Sequence, residues 1–417
     1  TDQVGTLTVA SPTTVTVNES NVDDLTGAND NVTVSTITID GELNSKNSGP
    51  GETITVTGTS HSVSGSMLAR LDIDTDGATV TGSTGDDADS ELGEVRVLSG
   101  SDNAEITNIK KVGGDVTVGL TTGSDADLDV SLVEDTDGPT SPSQTITGSV
   151  TLDGSDFGIG SPVTVQGDIA ANSGSVSLGD NNLTVADANF TGASGVSYSA
   201  GSGFLVMEDD KGSDNDNTLD TAGETIPNLR STFDVASSGT RNPTELDGSV
   251  DVSGTLDIEN TISAGAASET LTFSNSGDDQ VTLDTETSTA FSGSGSFEAQ
   301  GTEIVMTQAT SISNFVIDAS GSTVTLKDGA NAGGPFTLTV GSGFTMEAGI
   351  FDHTDNTVDL TTPNGLTVAS GFSPSTSVSD IQSDADTFFG ISGGGSTTLN
   401  SDASFDRLNV NSSDLSL

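Results

Sequence analysis

Alternating carboxylates are the most chemically suggestive feature of this 417-residue sequence. In "DIDTDGATV", Asp72, Asp74 and Asp76 stand two residues apart and Gly77 follows. That spacing lets three carboxylates face one hard cation while the glycine makes the turn. A denser oxygen cluster lies in "MEDDKGSDNDNTLDTAGET", residues 207–225, where Asp214, Asp216 and Asp220 are interleaved with Asn215 and Asn217 and preceded by Glu208 and Asp209. Ca2+ prefers oxygen ligands of this kind, so these aspartates are the candidate metal ligands and Ca2+ the candidate cofactor.

Other chemistry has little material. There is no cysteine, which removes disulfides, thiolate catalysis and thiolate-bound metals. The two histidines, His61 and His353, are isolated in sequence and belong to no ligand or catalytic motif, so both are expected at the surface. No phosphate-binding glycine loop or G-x-S-x-G nucleophile turn stands out from the recurrent Gly/Ser phrases, which read as turns, and there is no Trp and one Tyr to serve as a sugar platform. The chain therefore reads as a non-enzyme. The D-x-D-x-D-G stretch itself departs from a complete EF-hand loop: Ser83 occupies the twelfth position, where a bidentate Glu is needed. The second cluster resembles the Asp/Asn-rich calcium loops of extracellular proteins.

Ten Lys and Arg against 62 Asp and Glu give a formal charge of −52. Such a field repels phosphate, so nucleic acid and anionic membrane are not partners. No stretch approaches the roughly 18 apolar residues that span a bilayer, and membrane insertion is not expected. A charge this large needs high salt or bound divalent cations, which points outside an ordinary cytoplasm. Thr1 in place of Met fits a mature fragment whose leader has been removed.

The elements that must position these residues are short strands. Period-2 alternation recurs in "TITVTGT", "GDVTVGL", "GSVTLDG", "NLTVADA" and "STVTLKD", separated by Gly, Asn, Asp and Ser clusters. With 31% apolar and 4% aromatic residues the core must be narrow. The phrase "LTVGSGF", Leu338–Phe344, returns as "LTVASGF", Leu366–Phe372, 28 residues on (366 − 338), as if Leu338, Val340 and Phe344 were followed by Leu366, Val368 and Phe372 at equivalent core positions. The expected fold is all-β: an elongated β-solenoid of irregular coils. In "VTVSTITID" the alternation changes phase between Val34 and Ile37, which places at Ser35 and Thr36 either a solenoid corner or an ordinary bulge of a sandwich strand.

All 15 Phe fall after residue 156, and "EDTDGPTSPSQ" precedes that step. This divides the chain into an N-terminal β region, 1–133, which is either a sandwich or a continuation of the solenoid; a linker or long loop, 134–145; and a solenoid, 146–417, interrupted by an acidic excursion at 207–225. One helix is expected after Ser373 and Pro374, with Val378, Ile381, Ala385 and Phe388 on one face.

The phrases "LTVGSGFTMEAGIFDHTDNTVDLTT" and "FDRLNVNSSDLSL" resemble the degenerate β-solenoid repeats of filamentous-haemagglutinin and autotransporter-adhesin surface proteins. The acidic, cysteine-free composition is similar to that of microbial surface-layer and filament proteins. The resemblance implies extracellular structural or adhesive work. Strand-like sequence at both extremities adds the expectation of a homopolymer, a cell-surface filament or sheath built from copies of the chain. The alternatives are a surface-layer lattice protein or adhesin, and a β-helix that binds or cleaves cell-surface glycans.

Overall fold

The structure is a computed structural model. It describes the strands and short turns of residues 3–416; the longer connections at 18–29, 46–51, 83–89, 120–125, 134–143, 210–216, 234–241, 275–279, 330–335, 361–365, 369–379 and 383–388, with several shorter ones, lie outside the described residues. Among the described residues the secondary structure is strand throughout, with no helix, and the pairings are parallel. The chain divides into two compact units, Thr1–Leu205 and Val206–Leu417. Each is a β-solenoid whose coils turn three corners.

In the first unit three strands make each coil. On one face Glu42–Ser45 is followed in hydrogen-bonded order by Ser66–Met67, Glu91–Leu92, Lys111–Val112, Thr145–Ile146, Val163–Val165 and Leu183–Ala186. A second face stacks Val34, Val56, Ile73, Val97, Val118, Leu152, Ala171 and Gly192 in one inward column. Beside it run Ile54, Leu71, Val95, Val116, Val150, Ile169 and Phe190. The two columns compensate: where Phe190 is the largest member of one, Gly192 is the smallest of the other, which keeps a narrow interior filled. The alternation seen in the sequence is therefore the inward and outward rhythm of strands about 4.8 Å apart.

The corner at Ser35 and Thr36 is present. Strand Asp30–Ile39 pairs with Glu52–Val56 through Val34 and with Ser60–Val63 from Thr38 onward, and Val34, Ile37 and Ile39 are all buried. On either side of 134–143 the coils pair directly, Val112 with Ile146 and Val116 with Val150, so the first unit carries the same winding on both sides of that stretch.

The second unit winds in the same way. Leu229, Leu256, Val281, Ile304 and Leu326 form one column, and Val250, Leu271, Phe297, Phe315 and Phe344 form another. The phenylalanines stack through the centre, with ring centroids 5.8 Å apart for Phe297–Phe315, 5.6 Å for Phe315–Phe344 and 5.7 Å for Phe315–Phe351. Phe291 again stands beside a glycine, Gly293, on the rung above Ile262 and Ala264.

Three expectations change. The repeated phrases do not superpose: Leu338 pairs with Val358, whereas Leu366 pairs with Phe344 on the next face. In its first copy the phrase carries strand Thr337–Asp352 from one face to the next, and 28 residues is not the coil length; residues 369–372 of the second copy, Phe372 included, lie outside the described residues. Of the residues expected on one helical face, Ile381 lies instead in strand Asp380–Gln382, Phe389–Ser392 is a further strand, and Val378, Ala385 and Phe388 lie outside the described residues. Ile381 sits in parallel register between Phe351 and Phe405, and neighbours on both edges satisfy the backbone better than one isolated helical stripe can. The acidic excursion is shorter than 207–225, because Leu205–Asp209, Asn217–Asp220 and Thr225–Ile226 are all strands.

Candidate functional site

Asp72 belongs to strand Arg70–Ile73 and is committed to arginine. Parallel register places Arg96 one rung away, and its Nε donates to Asp72 Oδ1 at 2.8 Å while its Nη2 donates to Oδ2. Arg70 Nε stands 3.4 Å from Oδ1, and Arg70 Nη1 is 4.0 Å from Glu94. Asp72 is 4% exposed, so this bidentate pairing is what allows a carboxylate to be covered. Asp74 and Asp76 are exposed in the following turn, where Gly77 takes φ 67°. The structure brings Asp72 to the two arginines and leaves Asp74 and Asp76 to solvent.

Asp214 and Asp216 lie outside the described residues. Asp220 ends strand Asn217–Asp220, where its Oδ1 accepts the amide of Ala222 at 2.7 Å. Asp209 is fully buried and its Oδ2 accepts the amide of Asn242 at 2.9 Å. Asn217, also fully buried, has neither amide atom hydrogen-bonded. Among the described residues no group of three or more His, Asp or Glu side chains is arranged to hold a metal ion.

Much of the acidic composition has a different use. Turn aspartates and asparagines reach one coil onward and accept backbone N–H groups. Asp115 Oδ1 takes Ser149 N at 2.8 Å, Asp168 Oδ1 takes Asn189 N at 2.9 Å, Asn182 Oδ1 takes Phe204 N at 3.1 Å and Asn228 Oδ1 takes Thr255 N at 2.8 Å. Asp180 Oδ1 accepts both the amide and the hydroxyl of Ser202, and those bonds hold its carboxyl below the usual range. Corner donors that the narrow coils cannot satisfy by strand pairing are met in this way. No local pattern in the sequence links these side chains to the following coil, because the partner lies 21 to 34 residues away.

The cations stack on acids as well: Lys111 Nζ is 3.2 Å from Glu91, Lys327 pairs with Glu303, and Arg230 Nε donates to Asp257 Oδ2 at 2.9 Å. Burial pushes Asp257 up, Arg230 pulls it down, and Glu259 and Asp284 push it further up. Removing the guanidinium by Arg230→Gln leaves a covered carboxylate that resists ionisation. A raised folded-state value means that the penalty is absent below the unfolded value of about 3.9 and grows as pH rises through the folded one. We expect Arg230→Gln to lose about 1 kcal/mol at pH 8, a figure reduced for partial solvation, and clearly less at pH 4, measured by denaturant unfolding beside the parent.

Both histidines are interior, contrary to the expectation of surface positions: His61 is 4% exposed and His353 fully buried. Each uses one ring nitrogen on a backbone carbonyl three residues away, His61 Nε2 to Gly58 O at 2.8 Å and His353 Nδ1 to Asn356 O at 2.9 Å. With one N–H satisfied, the neutral ring is apolar enough to take an inward position, and His353 stacks on Phe351 with centroids 5.5 Å apart.

On the outer surface of the first unit a shallow groove of about 280 Å3 runs over Glu105, Thr107, Asp129, Ser131, Gly158 and Ser177. Glu105, Asp129 and Gly158 are successive rungs, and Asp129 Oδ1 leans to within 2.0 Å of where a Cβ on Gly158 would sit. The glycine makes the notch, and hydroxyls and carboxylates line it.

No family model matches the chain, and no curated protein or solved structure is significantly similar to it.

Proposed function

We propose that the chain is a non-enzymatic extracellular structural protein that assembles with copies of itself into a cell-surface filament or sheath, in the manner of the solenoid surface proteins its repeats resemble. The observation that carries this reading is the parallel, in-register stacking of coil on coil within each unit. A further coil, whichever chain supplies it, meets the same ladder of donors and acceptors. Strand Gln3–Val9 continues the same parallel register on Asp30–Ile39, the kind of backbone ladder through which one chain can add a strand to another. A lattice protein or adhesin uses the same surfaces laterally. The groove over Asp129 and Gly158 favours a second reading, glycan binding, because its hydroxyls and carboxylates match the hydrogen-bonding groups of a sugar.

Negative-stain microscopy of the native material, with light scattering at high protein concentration in salt and Ca2+, tests the assembly reading. Fibres support it, and monomers that persist under those conditions overturn it. Calcium enters the proposal through the 210–216 segment and Asp220, whose carboxylates need a counterion to approach one another. Ca2+ is expected to raise the melting temperature of the parent protein and to leave the double variant Asp214→Asn with Asp216→Asn unmoved. Equal shifts in both proteins remove calcium from the reading.

A further inference from the structure

His61 occupies a place in the first unit that an aliphatic residue would ordinarily take. It lies in strand Ser60–Val63, in parallel register with Val80, and its neighbours Thr38↔Ser62 and Ile39↔Val63 fix it over the inward side of Asp30–Ile39. Ile37, Ile39, Val63 and Val80 around it are buried. Its Nε2 donates to Gly58 O at 2.8 Å, so Nδ1 carries the lone pair, and Nδ1 is buried with no hydrogen-bond partner. The carbonyl it holds belongs to a tightly seated corner: a Cβ on Gly58 would stand 2.1 Å from Ser35 O of the coil beneath.

We infer that His61 is an acid-operated release for this coil, closed while the ring is neutral and opened when Nδ1 takes a proton. The neutral ring leaves only an unused lone pair in the interior, which is a small cost. The protonated ring brings a second N–H and a full charge into a site lined by Ile and Val, where neither has an acceptor or counter-charge. Of the two strands stacked on it, Thr79–Thr81 carries no titratable residue, and Asp30–Ile39 carries only Asp30, at its far end in register with Glu52. Burial lowers the histidine's affinity for protons and the Gly58 carbonyl partly restores it. With the folded value below the unfolded one, the neutral ring's full contribution is present above about pH 6.5 and is lost as pH falls below it. Opening frees the strand edges next to Ile39 and Val80 for other pairings, so mild acid becomes a signal for rearranging the first unit.

Amide exchange measured on the full chain between pH 7.5 and 5 tests this. Protection at 57–63, corrected for intrinsic exchange, should fall in the parent by up to about tenfold per pH unit below about 6.5, with no matching fall in His61→Val. Equal pH dependence in parent and variant overturns the inference. Titration of the His61 ring by NMR in the parent keeps the test decisive if the variant does not fold. Protonation that coincides with lost protection supports the release, and protonation within an intact coil overturns it.

Discussion

Replacing Phe315 with alanine is expected to remove about 3–5 kcal/mol of unfolding free energy from the second unit. Phe315 is fully buried, in register between Phe297 and Phe344, and also meets Phe351 edge-on at an interplanar angle of 83°. Deleting the ring therefore forfeits burial and opens a void among three aromatic neighbours that are themselves held by rung spacing. Parallel coils cannot close up to fill it, because their separation is set by backbone hydrogen bonds. Guanidinium unfolding followed by circular dichroism should show a lower midpoint. A loss below about 1 kcal/mol would mean that the stack is looser than these distances imply. Phe315→Leu should recover most of the loss, since it restores apolar volume without ring geometry.

The second large effect is expected at Gly174. This residue takes φ +98°, and a Cβ there would lie 1.9 Å from Ser155 O and 2.6 Å from Ser155 N, all backbone of the preceding coil. Gly174→Val combines a disfavoured backbone angle with a clash that no rotamer relieves, and about 3 kcal/mol or more should be lost. Gly195 provides the control. Its φ is +92°, yet nothing stands within 4 Å of its virtual Cβ. Gly195→Ala should lose only about 1–2 kcal/mol, from the backbone angle alone. Equal losses at the two sites would show that coil contact contributes nothing at Gly174.

The contrast between these glycines also shows where sequence reading succeeds and where it stops. Alternation is a property of single strands, so Ile54 with Val56 and Val116 with Val118 were legible as inward pairs, and all four are buried. The phase slip at Ser35 and Thr36 was legible for the same reason. Coil length was not, because it depends on what each corner carries: corner-to-corner bonds span 19 residues between Asp153 and Asn172 but 34 between Asp115 and Ser149. A repeat interval of 28 in such a chain aligns one face with the next rather than a coil with its successor. The histidines were misplaced because a ring that satisfies one N–H on a carbonyl three residues away behaves as an apolar group, and that bond exists only once the corner has formed. Asp72 looked like a cation ligand because its spacing to Asp74 is local, whereas Arg96, which holds it, lies 24 residues on.

The corner carboxylates that accept an amide from the following coil have a genetic consequence. Such a join asks only for a carboxylate or carboxamide at one turn and an N–H at the next, whatever length of chain intervenes. Each coil bonds to its two neighbours and to little else, so an in-frame duplication or deletion of one whole winding rebuilds the same seam. By that logic the number of windings can change in whole units while the seam between neighbours is kept.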